Sequence, residues 1–178
     1  MVLSDKKILE EIKAGNIIID PFEQKYLNPN SVDLTLAPAC KVYEEGLILD
    51  PRKPNPVQEF IIPEDGFVLR PGELYLYSCR ETIGVKGTIC ATVMGKSSLG
   101  RLGLDIHVCA GFIDSGFVGS LVLEMRVVRP LKVYAGMKIC QVKFERVEGT
   151  ILESYDQKPG SKYMNQTGVQ ESKYHENF

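Results

Sequence analysis

Between Gly95 and Glu124 the chain reads GKSSLGRLGLDIHVCAGFIDSGFVGSLVLE, which gathers Lys96, Ser97, Ser98, Arg101, His107, Asp114 and Glu124 among glycines and apolar residues. A strand that only builds a core has no need of Lys96, Ser97, Ser98 and Arg101 within six positions. Glycine-flanked Lys and Ser can offer an ammonium, hydroxyls and backbone N–H groups to phosphate oxygens. The mixture points to a nucleotide site, with phosphate donors at one end and a carboxylate for chemistry at the other. A Walker P-loop is excluded: GxxxxGK[ST] needs glycine five positions before Gly95, where Cys90 stands, and Leu99-Gly100 is a poor helix start. At the far end, Leu121, Leu123, Met125 and Val127 alternate onto one strand face and leave Val122, Glu124 and Arg126 on the other. On that pattern Glu124 is either a surface ion-pair partner of Arg126 or a base in a pocket. Asp114, in GFIDSG, sits in a turn-rich bend where a local Asx-turn competes with a ligand role.

The elements that must position these groups are short and mostly extended. Residues 4 to 15 form the predicted helix: Ser4 is a good N-cap, Leu3 and Ile8 have hydrophobic-staple spacing, and Gly15 stops it. From residue 16 the pattern changes. Val32, Leu34 and Leu36 alternate with Ser31, Asp33 and Thr35, as in a half-buried strand. Strands are predicted also at Lys41–Tyr43, Phe60–Ile62, Phe67–Leu69, Leu74–Ser78, Thr88–Met94, Leu121–Val128 and Lys138–Phe144, with proline and glycine turns between them. Asp50–Val57 reads as a loop or edge arm, and Pro130–Gly136 as a loop. Many short strands predict an all-β fold with one or two short helices, a sandwich or barrel. After residue 154 the alternation stops, and a polar tail carries Tyr155, Lys162 and Gln166. Such a tail is either a frayed terminus or a lid whose Tyr, Lys and Gln stack on a base and bind phosphate. The division expected is therefore a β domain over 1–154 and a lid over 155–178.

The 178 residues fit one domain, and a net charge of −2 gives no long-range attraction to nucleic acid or an anionic membrane. The acidic N-terminal stretch predicts neither a signal nor a transit peptide, and no apolar run approaches the ~18 residues of a membrane span. Five cysteines stand singly without a CxxC, beside only two histidines. That set predicts reduced thiols in a cytoplasmic protein and no zinc site.

The ordered blocks GKSSLGRLGL, AGFIDSGFVG, LVLE, GMKICQ and GSKYMNQ, with LSDKKI and PNSVDLTL before them, resemble the dCTP deaminases of the trimeric dUTPase superfamily over nearly the whole chain. The resemblance implies a distorted β-barrel or jelly roll of the dUTPase-like type, assembled as a homotrimer with active sites between subunits. It implies Glu124 as general base toward C4 of cytosine, with Ser97 and Arg101 holding the attacking water and supporting the glutamate. Lys96, Ser98, Lys162 and Gln166 fall on triphosphate-binding positions, and Tyr155 would lie against the nucleotide. Asp114 matches the aspartate that receives the deoxyribose 3′-hydroxyl. Mg2+ would be carried by the triphosphate, with no metal held by the protein itself. Ala110-Gly111-Phe112 in the middle motif resembles the bifunctional type, which converts dCTP to dUMP, ammonia and pyrophosphate for thymidylate synthesis. The monofunctional type, which releases dUTP, carries a bulky His-Arg pair after that alanine. The resemblance also brings dTTP as an inhibitor, although Cys109 stands where relatives often have a small hydroxyl residue. Lys96 replaces an arginine common among relatives, a point charge in place of a fork. The rival readings are a monofunctional deaminase, a plain dUTPase, which has no need of Glu124, and a nucleotide-binding regulatory protein on the same scaffold.

Overall fold

The computed structural model describes residues 1–108 and 110–178, so Cys109 lies outside it. Helix α1 spans Asp5–Lys13, and the Ser4 hydroxyl accepts the Lys7 N–H at 3.4 Å as its cap. Leu3 and Ile8 are both buried, as a staple requires. Gly15, at φ +76°, then turns the chain into β1 (Ile17–Asp20).

The remaining strands are β2 (Leu27–Asn28), β3 (Ser31–Tyr43), β4 (Val57–Ile61), β5 (Phe67–Leu69), β6 (Tyr75–Val85) and β7 (Ile89–Gly95). After the single helical turn α2 (Ser97–Gly100) come β8 (Leu104–Asp105), β9 (Phe112–Ile113), β10 (Val118–Val127), β11 (Leu131–Val133) and β12 (Lys138–Arg146). The principal sheet runs β8-β10-β6-β3-β12-β7-β9, all of it antiparallel, and curls around one hydrophobic core as a distorted, open barrel. The fold class is the all-β one expected.

Four local readings need correction. Val32–Leu36 and Lys41–Tyr43 belong to one strand, β3, whose first half pairs with β12 and whose second half pairs with β6. Pro38 has no N–H to give a ladder, and the register breaks between Leu36 and Cys40, where it stands. Pro130–Gly136 is not a plain loop, because Leu131–Val133 pairs with Phe67–Leu69 as a two-stranded ribbon. A helix turn does start at Ser97, although it ends within one turn. The half-buried reading of β3 also fails: Asp33 and Thr35 are buried beside Val32, Leu34 and Leu36, because both faces of the strand are covered.

The cysteines are less scattered in space than in sequence. Cys79 on β6 and Cys140 on β12 meet across β3 with their sulfurs 3.5 Å apart, both as buried free thiols. The contact with Cys140, and burial after it, push the Cys79 thiol well above its ordinary value. No helix among the described residues is long and apolar enough to cross a membrane.

Candidate active site

Strand β10 sets the carboxylate. Leu121, Leu123, Met125 and Val127 are all buried, so the alternation turns Glu124 to the opposite face, where it is half-buried. Arg126 shares that face but pairs with Asp105 at 3.1 Å. Glu124 instead accepts the Val108 N–H at 3.0 Å, which ties it to the segment leading from β8 toward β9. His107 lies beside it. Burial pushes the imidazole below its ordinary value, while the Glu124 charge and the Val93 carbonyl oppose that shift. Neither ring nitrogen has a partner in hydrogen-bonding geometry among the described residues. A β-carbon at Gly111 would lie 3.1 Å from the Val93 carbonyl oxygen and 3.7 Å from His107 Nε2, so Gly111 lets the middle motif pack closely on this ring.

A few residues on, a cavity of about 450 Å3 opens between the β9 turn and the C-terminal tail, lined among others by Phe112, Asp114, Tyr155, Lys158, Lys162 and Tyr163. The turn is held by its backbone, with Phe117 N–H donating to the Asp114 carbonyl at 3.1 Å, and by the Ser115 hydroxyl donating to the Ile89 carbonyl at 2.7 Å. Asp114 is exposed, and among the described residues its side chain makes no Asx-turn bond. Its carboxylate is left facing the cavity with Tyr155 and Lys162.

The tail is not frayed. Tyr155 packs edge-on against Phe117 with ring centroids 5.7 Å apart, and its N–H donates to the Ser115 carbonyl at 2.8 Å. Asn165 N–H donates to Val118 and Ser120 N–H to Gln166, at 2.8 and 2.9 Å, so the tail runs along β10. The Gln166 amide donates to the Ser120 carbonyl at 2.6 Å, and Val169 is buried. Gly116, at φ +94°, makes this docking possible. A β-carbon there would come within 2.9 Å of both Ser154 Cβ and the Tyr155 nitrogen and would collide with the Asp156 carboxylate. Gly116→Ala should therefore cost about 2 kcal/mol in denaturant unfolding and make the chain near Ser154 more sensitive to protease.

Lys96, Ser97, Ser98 and Arg101 lie on α2 and on the residues that flank it. Ser97, Ser98 and Arg101 are exposed, and their side chains make no hydrogen bond or ion pair among the described residues. Lys96 points the other way, its ammonium 2.6 Å from the buried Asp33. The structure thus brings Asp114, Tyr155 and Lys162 into one cavity, sets Ala110 in the segment joining Val108 to Gly111, and seats Gln166 on β10. Among the described residues, the side chains of Ser97, Ser98 and Arg101 have no hydrogen-bond or ion-pair partner. Exposed Met94, Leu102, Val108, Phe112 and Val128 belong to the same stretch of chain. Asp33, Lys138 and Lys158 escaped the sequence reading. For Asp33 the period-two pattern was misleading, since it made the residue a solvent-facing one. Among the described residues no three His, Cys, Asp or Glu side chains converge in a way that could hold a metal ion.

Residues 2–147 match the family model described as dCTP deaminase-like. The chain is 44% identical over all of its 178 residues to a protein of Clostridium beijerinckii named dCTP deaminase, dUMP-forming, and covers 99% of it. It is 43% identical to a protein of the same name from Leptospira biflexa, again over the whole chain and 98% of the relative. Its fold is similar to that of the solved 2′-deoxycytidine 5′-triphosphate deaminase from Agrobacterium tumefaciens, with a TM-score of 0.66 at 22% identity; the match covers 85% of this chain and 50% of that one. The chain belongs to the dCTP deaminase-like family.

Proposed function

We propose that this protein is a dUMP-forming dCTP deaminase, which converts dCTP and two waters to dUMP, ammonia and pyrophosphate. The observation that carries the reading is the middle motif: Gly111 tucked against His107 and Val93, followed by Phe112 on the cavity wall beside Asp114. A bulky polar side chain at position 111 would meet the Val93 carbonyl and the His107 ring, so the motif could not keep this packing with the His-Arg pair of the monofunctional type. The full-length relatives named dUMP-forming support the same choice.

Each residue then has a role its chemistry fits. Glu124 takes a proton from the water that attacks C4 of cytosine and passes it toward the leaving amine. Its place on strand β10 and its bond from the Val108 N–H keep that carboxylate aimed. Asp114 receives the 3′-hydroxyl, and Tyr155 lies against the nucleotide from the tail. Lys96, Ser98, Lys162 and Gln166 bind the triphosphate, whose Mg2+ comes with the substrate. Ser97 and Arg101 hold the attacking water and brace Glu124 from a neighbouring copy in a homotrimer. Their exposed side chains, and the exposed apolar residues of the same stretch, support that assembly. The deamination uses no zinc, and the setting is the cytoplasm.

The test is an anion-exchange separation of products after incubation with dCTP and Mg2+. The expected result is dUMP and pyrophosphate rising together while dUTP stays absent. Accumulating dUTP would instead leave a monofunctional deaminase. Untouched dCTP with hydrolysed dUTP would leave a plain dUTPase.

A further inference from the structure

Asp33 is 3% exposed, yet it carries two cations. The Lys96 ammonium lies 2.6 Å from one carboxylate oxygen and the Lys138 ammonium 3.1 Å from the other, with the Asn28 amide donating at 3.0 Å. Burial works against the charged carboxylate, but the two lysines and Asn28 outweigh it and hold Asp33 below its ordinary value. Asp33 therefore stays an anion. The other buried acid nearby, Glu81, is satisfied by the Thr35 N–H and hydroxyl at 2.9 and 2.7 Å, and forms no ion pair with either lysine.

A buried carboxylate that loses its only cation is strongly destabilised. If Lys96 were the sole partner of Asp33, moving it to a phosphate would carry that penalty. The structure supplies a second partner that need not move. Lys138 is fixed by the pairing of β12 with β3, opposite Thr35, and its ammonium also sits 4.9 Å from the centre of the Tyr26 ring. Lys96 stands between β7 and α2 on a flexible stem, where a lysine can leave more readily than a forked arginine. We infer that Lys138 is a positioning residue for triphosphate binding: it keeps Asp33 compensated while Lys96 swings from Asp33 to the phosphates. The inference rests on Lys96 as a phosphate ligand and deepens that reading by naming what releases it.

The experiment compares steady-state kinetics with dCTP for wild type, K138M, K138R and the K138M/D33N double variant, with melting temperatures to confirm folding. K138M should raise KM about tenfold with kcat within about twofold, because Lys96 is then held by Asp33 alone. K138R should stay near wild type. Adding D33N to K138M should bring KM back, since a neutral amide no longer holds Lys96. A wild-type KM in K138M overturns the inference. So does a KM that stays high in the double variant, which would put Lys138 on the phosphates directly. A wild type that leaves dCTP untouched sinks the deaminase reading separately. Inorganic tripolyphosphate then decides: it should raise the melting temperature of wild type more than that of K138M, and equal shifts, or none, overturn the inference.

Discussion

Glu124→Gln abolishes ammonia release from dCTP, lowering it by about 10³-fold, while nucleotide affinity stays within a few-fold of wild type. The substitution keeps the shape of the side chain and an oxygen that can still accept the Val108 N–H, so the 3.0 Å bond to the β8–β9 segment survives. What it removes is a group able to take a proton from water. Stability should scarcely change, because the residue faces away from the Leu121, Leu123, Met125 and Val127 core face. Ammonia release and equilibrium dialysis with dCTP, run on the same preparation, check both halves of the statement. Deamination within tenfold of wild type would place the base elsewhere, and a matching loss of dCTP binding would make Glu124 a ligand.

Removing the chain from Tyr155 onward costs both turnover and stability. The cut takes away Tyr155, Lys158, Lys162 and Tyr163, which form one wall of the cavity that holds Asp114. It also uncovers Phe117, breaks the Gln166–Ser120 contacts, removes the buried Val169 and deletes the Lys41–Glu171 ion pair at 2.8 Å. With Phe117 uncovered and the burial of Val169 lost, the truncated chain should unfold about 2–4 kcal/mol more easily. Its kcat/KM for dCTP should fall by about 100-fold or more, since a cavity with one wall no longer orients the nucleotide. Lys162→Met separates the two effects. It should weaken dCTP binding while leaving the melting temperature unchanged, because among the described residues the Lys162 ammonium reaches only the Asn177 side chain. A truncated chain with wild-type turnover would mean that the tail covers the domain without serving the site.

Several parts of this arrangement were legible before any coordinates, and all of them are local. The cap at Ser4, the staple of Leu3 on Ile8 and the stop at Gly15 depend on neighbours within a turn or two, and helix α1 follows them closely. The alternation from Leu121 to Val127 orients Glu124 by the pleat of a single strand. Short alternating runs between proline and glycine turns pointed in the same local way to an all-β class.

The partners of these residues were decided by the tertiary structure. Asp33 looks solvent-facing in its own strand, but β3 is covered on both faces, and only that cover makes a lysine just after β7 and another at the start of β12 converge on it. Arg126 is two residues from Glu124 on the same face, yet pairs with Asp105, because β8 lies beside β10. Cys79 and Cys140, 61 positions apart, touch because β6 and β12 flank β3. The tail looks polar and unpatterned, yet it docks, because Gly116 and the open edge of β10 leave it backbone groups to pair with. The sequence by itself determined which way each side chain leaves its own element, since that depends on a repeat of two or 3.6 residues. What each side chain meets there was left to the pairing of strands far apart in the chain, which no local repeat encodes.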